Sequence, residues 1–534
     1  MLVLMLYLTG NWLRQLMSSA SRRRCLLLLE KCKTMRHLRE AHGQVIACGL
    51  GGNSFALSRL VAFCADPRHG SLHYAWELFQ RIQMPTICIY NTIIKAFLLN
   101  NEFFSTMSMY NRLLISGFCP DNYTIPYVLK ACAKLHDHYL GDSVHGHGLK
   151  LGLLSDIFVG NSLVSMYCEH KLMRAARKVF DEIPRRCVIS WTIMISAYSK
   201  VGDVDSARVL FDEVTEKDKG IWGAMISGYV QNGCFKEGLY MFRLMQLNGV
   251  EPDESVLVST LSACAHLGAL DTGIWIHRFV NRFWLTLSSR LCTGLIDMYA
   301  KCGYIDIAKK LFDAMPEKDN ICWNAMISGY AVNGHGVSAL KLFTEMENGG
   351  VRPDDITFIS IFTACNHSGL PREGLRLLYK MLTEYKIEPK SEHYGCLVDL
   401  LCQAGYLEVA KETLLKVPRS GPFEEAIAWR ALLQACCKQG NSQMAEFAAE
   451  RLVQLECHSG AYVLLSNLYA VAGKQDEVRR IRKLMTSRGV YKAPGCSSLQ
   501  LNGDVYEFIA GEKTHPEMSR IYSTLDKLNK QLDC

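Results

Sequence analysis

The sequence predicts an all-α solenoid of helix-turn-helix repeats, and three observations predict it. Whole strings recur: Trp191-Thr-Ile-Met-Ile-Ser-Ala-Tyr198, Trp222-Gly-Ala-Met-Ile-Ser-Gly-Tyr229 and Trp323-Asn-Ala-Met-Ile-Ser-Gly-Tyr330. Pro-Asp recurs at Pro120-Asp121, Pro252-Asp253 and Pro353-Asp354, and the last two stand 101 residues apart, as Trp222 and Trp323 do. Each 101-residue period divides into pieces of 35, 35 and 31 residues, and each piece carries two amphipathic stripes at helical spacing.

The N-terminus differs from the rest. Residues 1–29 hold no Asp or Glu, four Arg (Arg14, Arg22, Arg23, Arg24) and Ser18, Ser19 and Ser21, the composition of an organellar transit peptide, expected over residues 1–24. Met1–Leu8 imitates a secretory core, but no basic segment precedes it. A mitochondrial address is expected, with the chloroplast as the alternative. Past residue 29 the net charge of +7 falls to about +3, so an RNA ligand would owe much of its specificity to base contacts. No run of uncharged apolar residues is long enough for a membrane span.

The piece 320–354 shows how one repeat is built. Trp323, Met326, Ile327 and Tyr330 mark a first helix, Asn333-Gly334 a turn, and Ala339, Leu340, Leu342, Phe343 and Met346 the buried side of a second helix. Gly349-Gly350 stops it and Pro353 prevents its resumption. Neither helix buries its stripe alone, so neighbouring pairs must stack. The 22 cysteines form no CxxC pair, which removes the usual zinc or redox spacing. Cys132, Cys264, Cys365 and Cys436 each take the eleventh place of a repeat, where a thiol serves as a small buried hydrophobe.

Helix pairs of these lengths, ending in Gly-Val-Arg-Pro-Asp354 or running Asp297-Met-Tyr-Ala-Lys-Cys-Gly303, resemble the P, long and short motifs of plant pentatricopeptide-repeat (PPR) proteins of the PLS class. The resemblance implies a right-handed superhelix. An array of about 12 repeats would fill 25–425: a degenerate long motif near 22–53 and a short one at 54–86; P-type repeats at 87–121, 219–253 and 320–354; long ones at 122–156, 254–288 and 355–390. Short ones fall at 157–187, 188–218, 289–319 and 391–425, the last with a small insertion around Arg419–Pro422. Residues 426–493, with Trp429-Arg-Ala-Leu-Leu-Gln-Ala-Cys436 and Tyr462-Val-Leu-Leu-Ser-Asn-Leu-Tyr469, resemble the two extension (E) repeats. Residues 494–534, from Pro494-Gly495 through Val505-Tyr506-Glu507-Phe508 to Thr514-His515-Pro516, resemble the E+ segment. The chain stops at Cys534, where longer relatives continue into a DYW-type deaminase domain.

The resemblance implies one base per repeat, read by the fifth and last residues. Asn91/Asp121 and Asn324/Asp354 then match the pair that prefers uridine, and Thr192/Asp218 and Thr293/Asp319 the pair that prefers guanosine. Asn161 suggests a pyrimidine, although its partner is Cys187; Gly223/Asp253 lacks a first reading side chain and would read weakly. Ile189 and Ile321, at second positions, would sandwich bases. The long-repeat pairs Pro126/Asp156, Val258/Ser288 and Ile359/Lys390 receive no base. The same aspartates also read as ordinary N-caps.

No catalytic constellation accompanies the array, and no cofactor or metal is called for. His515-Pro-Glu517 forms an HxE, but no CxxC follows it to complete a zinc deaminase site. Gly146-His-Gly-Leu-Lys150 lacks the phosphate-cradling GxxxxGK[ST] form and reads as close packing inside a second helix. His42 and His145 read as repeat-pattern positions. The family expectation is a monomeric site-recognition factor for organellar C-to-U RNA editing, whose partners are single-stranded RNA, a DYW-type deaminase in trans and accessory editing factors. Splicing, end protection or translation of an organellar transcript is the runner-up, and a protein–protein scaffold the third reading.

Overall fold

The computed structural model describes residues 27–29, 31–283, 288–415, 422–455, 459–491, 495–501, 504–510 and 517–532. The expected transit peptide, the insertion at Arg419–Gly421 and the string Thr514-His515-Pro516 lie outside them. The chain divides into two compact units, Met1–Asn232 and Gly233–Cys534.

The first unit runs α1 (Met35–Ala47), α2 (Ser54–Cys64), α3 (Leu72–Arg81), α4 (Ile87–Leu99), α5 (Phe103–Ile115), α6 (Thr124–Leu135), α7 (His138–Lys150), α8 (Ile157–Glu169), α9 (Met173–Glu182), α10 (Val188–Lys200), α11 (Val204–Glu213) and α12 (Lys219–Gln231). The first helices of successive repeats, α2, α4, α6, α8, α10 and α12, pack each on the next. The second helices α5, α7, α9 and α11 wedge between their own first helix and the following one.

The second unit repeats the scheme: α13 (Phe235–Leu247), α14 (Glu254–Leu267), α15 (Leu270–Phe283), α16 (Ser289–Lys301), α17 (Ile305–Ala314), α18 (Asn320–Val332), α19 (Gly336–Asn348), α20 (Asp355–His367), α21 (Pro371–Thr383), α22 (Ser391–Gln403), α23 (Leu407–Leu415), α24 (Pro422–Gln439), α25 (Ser442–Leu455), α26 (Ser459–Val471) and α27 (Gln475–Ser487). Its first helices, α14, α16, α18, α20, α22, α24 and α26, again form one continuous layer. Each unit is thus built on a stack of helical hairpins.

The recurring strings are the packing code of this stack. The Phe of each Phe-Asp motif meets the Trp of the next repeat edge to face: Phe180 with Trp191 at 5.0 Å, Phe211 with Trp222 at 4.9 Å and Phe312 with Trp323 at 5.0 Å. A cation near the repeat junction covers the same Phe rings, with Arg186, Lys217 and Lys318 lying 4.9, 5.0 and 5.1 Å from the centroids. Cys132, Cys264, Cys365 and Cys436 are fully buried, as their position in the repeat requires.

One element lies outside the repeat pattern and one expectation needs correction. In the C-terminal segment β1 (Cys496–Leu501) pairs antiparallel with β2 (Asp504–Ile509) before α28 (Met518–Leu532). Leu501 faces Asp504 in the register, and the intervening sequence Asn-Gly is the dipeptide most favoured for a two-residue hairpin loop. The close approach in α7 is at Gly141, where a Cβ would fall 2.6 Å from Met166 Sδ; at Gly146 nothing lies within 4 Å.

Candidate nucleic-acid interface

In each unit the second residue of most repeats stands exposed at the start of the first helix. Ile189 and Ile321 are 58% and 67% exposed. Tyr123, Phe158 and Ile356 occupy the same place in their repeats and are also exposed. The reading from sequence missed these three, although the period alone would have found them. Where this residue is apolar, it supplies a flat or branched surface on which a planar group can rest.

The last residue of each repeat is held by the start of the following first helix. Asp218 Oδ1 accepts from Ile221 N–H at 2.9 Å, Asp253 Oδ1 from Val256 N–H at 3.0 Å, and Asp319 Oδ1 from Cys322 N–H at 2.9 Å. Asp121 Oδ1 accepts from Tyr123 and Thr124 N–H, and Asp354 Oδ1 from Thr357 N–H. Asp218, Asp253, Asp319 and Asp354 are therefore N-caps, and Asp121 holds the turn that leads into its helix. For Asp218, Asp253 and Asp319 the cap engages Oδ1, and Asp218 and Asp319 are exposed beside the fifth-position side chains.

The two kinds of pair present opposite chemistry. Asn91 Nδ2 donates to Asp121 Oδ1 and Oδ2 at 3.0 and 3.1 Å, and Asn324 Nδ2 donates to Asp354 Oδ1 at 3.0 Å. An amide carries two N–H groups, so a second donor accompanies the carboxylate acceptor. Thr192 instead spends its proton on its own helix, donating from Oγ1 to the Val188 carbonyl at 2.8 Å, and turns lone pairs outward beside Asp218. Donor plus acceptor suits the mixed edge of a pyrimidine; acceptor plus acceptor suits the N–H-rich edge of guanine. Thr293 is hydrogen-bonded to the Cys322 thiol, whose pKa burial pushes up to about 12.

Asn161 keeps the arrangement with a weaker partner, its Nδ2 lying 3.5 Å from Cys187 Sγ. Burial raises the Cys187 thiol, but hydrogen bonds from Ser190 and Asn161 outweigh it and hold the group below its ordinary value. Gly223 brings no side chain to its position, as the sequence shows.

Between the repeats 157–187 and 188–218 lies a cleft of about 580 Å³. Ile189, Thr192 and Asp218 line it together with Glu169, Lys171 and Lys200. Thr192, Ser196 and Lys200 follow at intervals of four on α10, which puts them on one helix face. Lys200 is 68% exposed and lies 4.0 Å from Glu169, a contact loose enough to yield to another anion.

The histidines serve packing. His42, His145 and His277 meet Tyr74, Tyr167 and Tyr299 through Nδ1 at 2.8, 2.9 and 2.9 Å, and burial holds all three below the ordinary imidazole value. Among the described residues no group of His, Cys, Asp and Glu is placed to hold a metal ion, and no helix is long and apolar enough to cross a membrane.

Comparison with known proteins bears on the whole chain. A family model described as PPR repeat matches residues 161–188, 189–218, 220–250, 290–320 and 392–422. A PPR repeat family model matches 318–367, and an E motif model matches 440–500. A pentatricopeptide repeat-containing protein of Arabidopsis thaliana is 41% identical over 95% of this chain and 94% of its own length. Two others, described as chloroplastic and mitochondrial, are 35% and 33% identical over 95% of this chain, covering 82% and 89% of their own lengths. A crystal structure of a maize pentatricopeptide repeat protein is 16% identical, covers 90% of this chain and 82% of its own, and aligns with a TM-score of 0.48.

Proposed function

This chain belongs to the pentatricopeptide repeat family and carries its E motif, and from that premise we propose that it recognises one stretch of single-stranded organellar RNA as a site factor for C-to-U editing. The observation that carries the reading is the recurrence, in both units, of polar fifth and last residues in one register. Asn91 with Asp121 and Asn324 with Asp354 join a donor to an acceptor, Thr192 with Asp218 joins two acceptors, and Thr293/Asp319 repeats those residue types. Such a series has a use where successive ligand units differ in their hydrogen-bonding edges, as nucleotides do. A peptide-binding scaffold gives no reason for two kinds of pair in one register.

Each base would enter between neighbouring first helices, rest on side chains such as Ile189 and Ile321, and present its Watson–Crick edge to the pair. Lys200 would meet the phosphate that follows. Asn161/Cys187 would take a pyrimidine with less discrimination than the complete pairs, and Gly223/Asp253 would contribute little. Residues 25–425 would form the reading array, and 426–493 and 494–534 the extensions that recruit a DYW-type deaminase in trans together with accessory factors. No deaminase chemistry is assigned to this chain. Relatives described as chloroplastic and mitochondrial support an organellar setting.

Organellar transcripts from plants lacking the protein test this directly. One or a few cytidines are expected to stay unconverted, each preceded by U and G at the spacing set by the four complete pairs. Full conversion everywhere, with altered introns or transcript ends instead, would overturn the editing role and leave RNA recognition in place.

A further inference from the structure

Each asparagine at a fifth position is held from two sides. Its Nδ2 faces the last residue of the repeat, and its Oδ1 accepts from a hydroxyl at the third position of the next repeat. Thr124 Oγ1 donates to Asn91 Oδ1 at 2.6 Å, Ser190 Oγ to Asn161 Oδ1 at 2.6 Å, and Thr357 Oγ1 to Asn324 Oδ1 at 2.6 Å. These hydroxyls are buried and cannot touch a ligand.

The pattern is selective within the chain. Where the fifth residue is Thr192 or Thr293, the corresponding third residue is Ile221 or Cys322. After Pro126, Gly223, Val258 and Ile359 stand Val159, Val256, Leu291 and His393. From residue 87 to 390 the hydroxyl follows an asparagine and nothing else.

We propose that Thr124, Ser190 and Thr357 are positioning residues that fix the amide orientation of Asn91, Asn161 and Asn324, so that an N–H rather than the carbonyl oxygen faces the ligand. The proposal rests on the RNA-reading function above and adds a third member to each asparagine pair. The physical case is a chain of donors. The backbone N–H of Asp354 donates into Thr357 Oγ1 at 3.0 Å, and that of Cys187 into Ser190 Oγ at 3.2 Å. A hydroxyl that accepts there has one proton left to give. Asp354 Oδ1 already accepts from the Thr357 N–H and from Asn324, so the proton goes to the closer amide oxygen. An amide without this anchor can rotate by half a turn and exchange donor for acceptor, which erases the distinction between bases. Asn161 depends on its hydroxyl most, because Cys187 is a poor acceptor.

The test uses the full-length protein and single-stranded RNA oligonucleotides with U opposite 87–121, G opposite 188–218 and 289–319, and each of the four bases in turn opposite 320–354. The wild type is expected to prefer U over G there by at least about tenfold. Thr357→Val is expected to cut that preference to about threefold or less, whereas Thr357→Ser retains it. A gain-of-function arm avoids any folding defect, with the base varied opposite 289–319. Thr293→Asn alone should lose the G preference without acquiring one for U, and Thr293→Asn with Cys322→Ser should acquire it. Full U preference in Thr357→Val, or in Thr293→Asn alone, would overturn the positioning role while leaving base reading intact. A wild type indifferent to the base opposite 320–354 would overturn the reading itself, and this inference with it.

Discussion

Asn333 ties the end of its own helix to the end of the first helix of the preceding repeat. Its Nδ2 donates to the Gly329 carbonyl and, across the repeat boundary, to the Ala300 carbonyl, both at 2.8 Å. Asn232 makes the same two bonds to Gly228 and Ser199. Each of these carbonyls also accepts a backbone N–H at its own helix end, so the amide takes up their second lone pair and ties two helix ends at one spacing. Asn333→Ala should lower stability by about 1–2 kcal/mol. Hydrogen exchange that is unaltered around residues 296–301 and 329–333 in the variant would show that the tie carries no weight.

Spacing between repeats is also set by glycine where a side chain would collide. A Cβ on Gly336 would lie 1.9 Å from Ser368 Oγ and 2.7 Å from the Ala364 carbonyl oxygen. Gly336→Ala should therefore destabilise by about 1–3 kcal/mol, because displaced backbone costs more than alanine's helix propensity returns. Gly146, inside α7 with nothing within 4 Å, makes the comparison. Gly146→Ala should stabilise by up to about 1 kcal/mol. Thermal unfolding of the two variants side by side decides the point, and equal shifts would remove the packing argument.

These two asparagines and glycines show how far the sequence could be read. Periodicity located the helix pairs, the Trp and Phe anchors and the Asn333-Gly334 turn, since each is a local pattern repeated at a fixed interval. It also placed the fifth and last residues of each repeat in one register, although which oxygen of an aspartate caps the next helix is fixed only by the folded chain. The hydroxyls of Thr124, Ser190 and Thr357 were invisible, because their partners lie 29–33 residues upstream and only a folded helix layer joins them. The hairpin at 496–509 differs, since Asn-Gly between two alternating segments is a strong local signal but has no echo in the helical repeat pattern.

Thiol reactivity should divide the cysteines by burial. Burial pushes Cys132, Cys365 and Cys402 up to about 12, whereas Cys88, Cys119 and Cys496 are exposed. At pH 8 an alkylating reagent is expected to modify the exposed set within the native protein and to spare the buried set until the chain unfolds. The same shifts have a sign in stability. A thiol whose folded pKa is raised holds its proton more tightly when folded, so its contribution is complete below pH 9 and is lost as pH rises from about 9 to 12. Mass-spectrometric mapping that finds Cys132 or Cys365 labelled as fast as Cys88 would contradict this packing.

Lys200 and Thr192 stand on one face of α10, and their substitution should separate backbone binding from base reading. Lys200→Glu replaces a cation with an anion next to Glu169, so every RNA should bind more weakly whatever its sequence. The slope of log affinity against log salt should fall in magnitude by about one for the lost phosphate contact. Thr192→Ala removes a lone-pair acceptor and no charge. It should leave that slope unchanged and reduce discrimination at a single position, by about 1–3 kcal/mol for guanosine against other bases. The two effects are separable because the phosphate path responds to ionic strength and a hydrogen bond to a base edge does so only weakly. Should Lys200→Glu alter base preference while sparing the salt slope, the phosphate does not pass over this end of α10, and the polarity of the RNA along the helix face must be reversed.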